Sequence, residues 1–381
     1  MNFKIIKNSM KNKNLKLKII LTGGGTAGHV WPTLTVAEAI KKQKLDTDFL
    51  YIGSENGIES EIVPKNHYQY QSIKTGKIRR YFSWENFIDP FKVVKGVSQS
   101  KKIIKSFKPD AVFAKGGYVT APVVFAAWLC KVPVVLHESD SVMGLANKTL
   151  SKFAKKIAVS FPTNYYPQKL QKKLFYSGLP IRESFVHWQK CSNVNIKFNV
   201  QLPIVLITGG SQGAHFINHS IFKILAKLLK KYNIIHLTGT QDIETAEKRK
   251  KKLSSTYSKR YLPYGFLDQE MTEAMKTADL VISRAGANSL FELAAMKKPA
   301  IIIPLPSAAS DHQNKNAEIF RAQKAVVVLK EDQTIPDKLF KNIDSLLSRP
   351  VLLERLSKNI SKFATSNAAQ KIAEEIIAII K

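Results

Sequence analysis

Cysteine is almost missing from this sequence of 381 residues: the two present, Cys130 and Cys191, lie far apart and form no CxxC or Cys/His spacing. Neither a disulfide framework nor a zinc site is suggested, and a reducing cytoplasm fits best. Acidic residues are scarce, 29 Asp+Glu against 59 Lys+Arg, for a formal charge of +30. Long apolar runs are lacking as well. The longest, Gly116 to Cys130, is shorter than the ~18 to 20 residues of a spanning helix, so no transmembrane helix is expected. Met1 to Lys16 is Lys-rich, with no apolar core or small-residue cleavage site, and reads as a frayed leader rather than a secretory signal. No Walker A pattern occurs, which counts against a P-loop ATPase.

The positive charge needs a partner or an explanation, because such a field draws polyanions. Most of it is lysine, whereas arginine supplies the bidentate fork suited to base and phosphate recognition. No RNA-binding strand with interleaved aromatics and no helix-turn-helix signature is present, so nucleic acid is not expected as a partner. Lysines scattered over helical faces are usually solvated, and attraction to acidic lipid is the main functional alternative.

What the sequence does contain is enough apolar material, 44% hydrophobic with 23% charged, for a folded protein of two domains. Leu15 to Leu21 reads as a strand, followed by the turn Gly23-Gly24-Gly25-Thr26-Ala27-Gly28 and a helix from about Pro32 to Lys42. Apolar strands at Phe49–Ile52, Ala111–Phe113 and Val132–Leu136 alternate with helical stretches, the rhythm of a parallel sheet covered on both faces. The pattern restarts at Pro203–Ile207, running into Thr208-Gly209-Gly210-Ser211-Gln212-Gly213-Ala214-His215 and a helix from about Phe216 to Lys230, with further strands at Ile234–Leu237, Leu280–Ser283 and Ala300–Pro304. The expectation is an α/β protein of two Rossmann-like domains, residues 15–182 and 200–359, joined by a linker at 183–199. A last helix, about 360–381, is expected to complete the first domain, with docking on the second as the alternative. Ligands of open α/β sheets bind at the carboxyl ends of the strands, so a central cleft between the two sheets is the expected site.

A glycine after a strand lets the backbone approach a phosphate, and the following helix offers unpaired N–H groups and partial positive charge to an anion. Gly23, Gly25 and Gly28 meet the dinucleotide fingerprint imperfectly, without an acidic residue closing the next strand. With Gly116-Gly117-Tyr118, however, there are three such loops, which together point to one ligand gripped from both lobes. Ser283 to Glu292 follows a buried strand and opens a helix. Glu292 is placed to accept two vicinal sugar hydroxyls; the plainer reading is a capping arrangement with Asn288 or Ser289 as cap. Asp311-His312-Gln313-Asn314 forms a polar loop beyond the prolines Pro304 and Pro306.

The segments GGGTAGHVWP, AKGGYVTAP, LHESDSVMGLANK, ITGGSQGAHFIN, SRAGANSLFELAAMKKPAIIIPLP and DHQNKNA resemble, in this order, the MurG family, the UDP-N-acetylglucosamine transferases of peptidoglycan lipid II synthesis. The resemblance runs from about Lys18 to the carboxyl terminus. It implies a GT-B fold and inverting transfer of GlcNAc from UDP-GlcNAc to the MurNAc C4 hydroxyl of undecaprenyl-pyrophosphoryl-MurNAc-pentapeptide, lipid I. It also implies substrate-binding roles for Thr26, Ala27, Gly28, Arg182, Ser211, Gln212, Leu267, Ala287, Asn288, Ser289, Leu290, Phe291, Glu292, His312 and Gln313. Within that set Leu267 lies near the uracil, Glu292 holds the ribose, and Ser211 with Gln212 faces the diphosphate. His29, Tyr118, His137 and Glu138 resemble positions on the acceptor side. Two departures stand out: the family's TGGH reads Thr26-Ala27-Gly28-His29, and its HEQN reads His137-Glu138-Ser139-Asp140, which replaces an amide at the Asp140 substrate-binding position by an acid.

Inverting transfer needs a base and a site that stabilises departing UDP. His29, at the end of the first strand with a pKa naturally near neutrality, is the first choice for the base and Glu138 the second. Asp46-Thr47-Asp48 mimics a metal-holding DxD but precedes its strand, away from the ligand edge. With a helix dipole, Arg182 and hydroxyls to stabilise the diphosphate, no obligatory metal or other cofactor is expected. Lys77 to Lys92 mixes cations and aromatic rings, suiting peripheral attachment to an anionic membrane surface at the cytoplasmic face with Trp84, Phe87 and Phe91 inserted. A core helix is the competing reading of that stretch. Partners are then UDP-GlcNAc, lipid I and acidic lipid, with cell-wall enzymes as further candidates. A 2-epimerase or glycolipid synthase on the same scaffold, or a basic membrane- or nucleic-acid-binding protein, are the alternatives.

Overall fold

The computed structural model describes residues 16–43, 46–76, 85–190, 196, 198, 201–210, 213–268, 270–333 and 335–380. Residues 1–15 of the leader and Cys191 therefore lie outside the described residues. The chain divides into two compact units: one reaches to Arg182 and resumes at Thr365, and the other is Glu183–Ala364.

In the first unit, seven parallel strands are described: β1 (Leu17–Thr22), β2 (Thr47–Ser54), β3 (Gln69–Ile73), β4 (Ala111–Ala114), β5 (Val134–Glu138), β6 (Lys156–Val159) and β7 (Leu174–Tyr176), in the order β3-β2-β1-β4-β5-β6-β7. Ile19, Ile20 and Leu21 of β1 are fully buried, as a strand covered on both faces requires. The order reverses between β1 and β4, the kind of switch point at whose carboxyl edge open α/β sheets bind ligands. Helix α1 (Ala27–Lys41) begins five residues earlier than Pro32, which sits in its second turn. His29 is thus a first-turn helical residue. Proline lacks the N–H of that turn, and the Thr33 hydroxyl donates to the His29 carbonyl at 2.8 Å. Helix α2 (Glu59–Lys65) follows β2, while α3 (Glu85–Phe107) and α4 (Thr120–Leu129) pack together.

The expected last helix is two. Pro350–Ile360 belongs to the second unit, and only Ala368–Ala378 returns to the first, where Ile372, Ile376 and Ile377 are fully buried beside Val36 and Ile40 of α1. Full burial of side chains this size contributes roughly 1.5–3 kcal/mol each, ample to fasten a short terminal helix. Residues 183–190 are not a free linker either. They form short helices at Glu183–Val186 and Trp188–Lys190 packed within the second unit, where the Thr272 hydroxyl donates to Ser184 Oγ at 3.1 Å.

The second unit repeats the plan. Its described strands β8 (Ile204–Thr208), β9 (Asn233–Leu237), β10 (Tyr261–Tyr264), β11 (Leu280–Ser283), β12 (Ala300–Ile302) and β13 (Val327–Val328) form a parallel sheet ordered β10-β9-β8-β11-β12-β13. The switch point falls between β8 and β11. Helix α5 (His215–Leu229) follows β8, α6 (Ala287–Ala295) follows β11, and α7 (His312–Ala322) follows β12. Ile217, Ile221, Leu225 and Leu228 turn one stripe of α5 onto the sheet, the spacing of an amphipathic helix.

Candidate active site

At the switch point of the first sheet, the loop Gly23–Thr26 after β1 lies beside Lys115-Gly116-Gly117 after β4. A Cβ on Gly117, whose φ is +86°, would sit 2.6 Å from the Gly24 carbonyl oxygen, so the two loops approach as only glycine allows. The anchor of the first loop is Glu59, fully buried at the start of α2. Its carboxylate accepts the Gly25 N–H at 3.1 Å through one oxygen and the Ser54 N–H (3.1 Å) and hydroxyl (2.5 Å) through the other.

His29 is half-buried in the first turn of α1, with Nδ1 3.0 Å from Thr26 Oγ1. Burial, then the nearby Lys115 ammonium, pulls its pKa down to about 4 against a smaller opposing pull from the Gly24 carbonyl. The near-neutral value expected from the residue type alone is therefore corrected. A helix amino end also disfavours an imidazolium.

Glu138, 4% exposed at the end of β5, is occupied. Oε1 accepts the Asp140 N–H at 3.0 Å, and Oε2 accepts the Gly144 N–H at 2.9 Å and the Asn147 amide at 3.0 Å. Burial, then the Asp140 charge, raises its pKa. These bonds make it the anchor of the turn after β5 rather than a base open to a substrate. His137 is fully buried, its Nε2 3.2 Å from the Gly178 carbonyl oxygen, so its ring braces the end of β5 from inside the unit. Tyr118 is half-buried and packs on Gly25, where a Cβ would lie 2.9 Å from its ring. Arg182 spreads over the Trp31 ring at 5.4 Å, which fixes the guanidinium against α1.

The second switch point has a matching loop, in which Gly210 and Gly213 take φ of +83° and +79°. Ser211 and Gln212 lie outside the described residues. His215 opens α5 and is held at 3.0 Å by Asp242, which also accepts the Asn218 amide at 2.7 Å. After β11, the N-cap of α6 is Gly286, with no side-chain cap bond, so the capping role read for Asn288 or Ser289 is not adopted. Asn288, Ser289 and Glu292 are half-buried and share a helical face, whereas Ala287, Leu290 and Phe291 are buried. Phe291 packs edge-on against Phe320, ring centroids 6.0 Å apart, so its role is to seat the helix.

Gln313 ties the loops together, its amide oxygen accepting the Ala285 N–H at 3.2 Å and the Leu305 N–H at 3.0 Å. His312 is anchored through Nδ1, 2.6 Å from the Ala309 carbonyl oxygen, and Leu267 is half-buried in the turn after β10. Sequence reading had missed four supports: Glu59, Lys115, Asn147 and Arg284. Arg284, 8% exposed, donates to the Ile303 and Pro304 carbonyls and pairs with Glu331 at 2.5 Å. A lysine ending an apolar strand was the one visible signal among them.

Two doubly wound units, each with a glycine loop at its switch point, define the GT-B fold class. The glycosyltransferase family 28 N-terminal domain matches residues 19–159, and the family's C-terminal domain matches residues 204–376. A UDP-N-acetylglucosamine--N-acetylmuramyl-(pentapeptide) pyrophosphoryl-undecaprenol N-acetylglucosamine transferase of Clostridium botulinum (strain Kyoto / Type A2) is 43% identical over 363 residues, 94% of this chain and 98% of the relative. The crystal structure of Acinetobacter baumannii MurG superposes with a TM-score of 0.72 at 27% identity, covering 94% of this chain and 99% of that one. A UDP-GlcNAc 2-epimerase from Neisseria meningitidis bound to UDP-GlcNAc has a TM-score of 0.67 at 13% identity over 96% and 100% of the two chains, a likeness of fold alone. The chain belongs to glycosyltransferase family 28 and, within it, to the MurG family.

Proposed function

We propose that the chain transfers N-acetylglucosamine from UDP-GlcNAc, with inversion, to the MurNAc C4 hydroxyl of lipid I, forming lipid II. The observation that carries this reading is 43% identity across 94% of the chain to a transferase whose name specifies that donor and acceptor. The first unit takes the acceptor and the second the donor.

In the transfer, the C4 oxygen bonds to the anomeric carbon as the bond from that carbon to the UDP oxygen breaks, and the hydroxyl proton passes to His29. A neutral imidazole has one unprotonated nitrogen to receive it. With a pKa near 4 it is a weak base; the acceptor's diphosphate, brought against the neighbouring glycine loops, would stabilise the imidazolium and strengthen it. Donor contacts are assigned to the glycine loop and amino end of α5, with Ser211 and Gln212 at the diphosphate, to Glu292 at the ribose with Asn288 and Ser289 on its face, to Leu267 at the uracil, and to Gln313.

No obligatory metal enters this scheme. In this reading departing UDP is stabilised by the positive end of α5. Asp46-Thr47-Asp48 lies at the opposite, amino edge of its sheet, where Asp48 pairs with Lys16 at 2.8 Å. Peripheral attachment to an anionic membrane at the cytoplasmic face is part of the same proposal. Residues 77–84, including Trp84, lie outside the described residues, but Phe91 and Val94 on α3 are 76% and 70% exposed. Trp128 and Leu129 at the end of α4, which packs with α3, are exposed too. Apolar side chains presented beside lysines suit a headgroup layer.

Thermal protection tests the donor assignment. UDP-GlcNAc is expected to raise the melting temperature well beyond UDP-glucose or free GlcNAc at equal concentration. Equal protection by all three would remove it.

A further inference from the structure

Lys115 is a buried charge that this transfer scheme leaves unused. It directly follows β4, is only 1% exposed and ranks among the bulkiest fully buried side chains of the protein. Burying an ammonium is costly unless it is partnered, and an apolar residue of the same length would serve a core better. Its surroundings show what it does. The ammonium donates to Ser139 Oγ in the turn after β5. Gly23 separates it from α1: a Cβ there would meet Lys115 Cβ at 3.0 Å and the His29 carbonyl oxygen at 3.3 Å. Two residues on, Gly117 lies against the imidazole itself, 3.6 Å from Nδ1 to where its Cβ would be.

We propose that Lys115 is a positioning residue for the transfer: its ammonium fastens the Ser139–Asp140 turn through Ser139 Oγ and, across Gly23, links that turn electrostatically to His29. The part concerning His29 rests on the reading of that residue as the base. Ser139 and Asp140 stand where the family pattern has an amide pair, and the ammonium, directly after β4, brings a charged donor to a turn with no side-chain amide at these two positions.

The charged groups about this edge are few. Glu138 and Asp140 on the β5 side favour the ammonium, whose pKa burial lowers to about 8. His137 feels the same positive charge as His29. From α2, Glu59 reaches the first loop through Gly25 N–H, and the Tyr51 hydroxyl of β2 donates to the Gly23 carbonyl. Among the causes acting on His29, Lys115 is the one side-chain charge, so its removal has a definite sign.

The test is Lys115→Met, followed by NMR titration of His29, whose resonance is identified by its loss in His29→Ala. The titration is expected to move upward from about 4 by roughly 1 on the pH scale, the effect of removing a like charge from a buried neighbour. The acid limb of kcat should move with it while donor KM stays fixed. An unmoved His29 titration overturns the electrostatic part. Ser139→Ala, which leaves the ammonium and the core volume in place, tests the tether should Lys115→Met not fold. Its kcat should fall roughly 10-fold, the worth of one charged hydrogen bond, and recover in Ser139→Thr; unchanged turnover overturns the tether. Full activity in His29→Ala would remove the base reading while leaving the NMR result to judge the coupling.

Discussion

Glu59 holds Gly25: the carboxylate accepts the Gly25 N–H at 3.1 Å across 34 residues of sequence and is fully buried while doing so. The glycine loop that leads into the His29 turn of α1 therefore owes its shape to the start of α2 as well as to its own residues. Removing the carboxylate frees the Gly25 N–H and takes the partner from the two Ser54 donors, at about 1–3 kcal/mol for each buried Ser54 group. Glu59→Ala is expected to lose at least ~2 kcal/mol in urea unfolding and to lower kcat at least ~10-fold. Wild-type turnover in a stably folded variant would show that the anchor does not shape the site.

Along α6 the two halves of one turn part company. Glu292 is half-buried on the outer face, and Phe291 is 2% exposed. Glu292→Ala should raise donor KM roughly 10- to 100-fold, the loss of a charged hydrogen bond, with little change in melting temperature. Phe291→Ala should do the reverse, costing ~3–5 kcal/mol of stability. Unchanged donor kinetics in Glu292→Ala would contradict the ribose assignment.

Acid stability follows from three histidines held neutral by burial: His29 near 4, His236 near 3, and His137 well below its ordinary range. Between about pH 6.5 and 4 the unfolded chain binds protons at these rings that the folded chain does not, so stability falls as pH falls. Each adds up to ~1.4 kcal/mol per pH unit in that window. Denaturant melts at pH 7 and 5 check the sign. His236→Asn should flatten the dependence.

Four described lysines take left-handed positions just past helix ends, and three of them close a two-bond stop. Lys131, Lys297 and Lys324 have φ of 58°, 56° and 53°. Each closes the two-bond helix stop, as in Lys131 N–H to the Trp128 carbonyl (3.0 Å) and Val132 N–H to the Ala127 carbonyl (2.9 Å). Glycine adopts this conformation without a Cβ penalty. Each single Lys→Gly change should stabilise the fold by ~0.5–1 kcal/mol, read as a rise in melting temperature, without altering kcat.

The twin α/β plan was legible because both units begin with a buried strand running straight into glycines, a pattern carried by contiguous residues. Other strands were hidden for a physical reason. β3 is polar and largely exposed, and β10 contains Pro263; each lies at a sheet edge, where a polar strand or a missing N–H is tolerated. The site divides in the same way. The glycine turns after the first strand of each unit could be read from local motifs, but the hold of Glu59 on the first loop could not, because the tie is made only by folding. His137 looked like a ligand-facing residue, since nothing in a strand-end sequence tells which side of the sheet its imidazole enters.

The most direct measurement is transfer of radiolabelled GlcNAc from UDP-GlcNAc to a short-chain lipid I analogue. The account predicts label in a single lipid-linked disaccharide with stoichiometric release of UDP, and strong reduction of that signal in His29→Ala. Recovery of the label as an epimerised or free sugar, with none on the lipid, would contradict it.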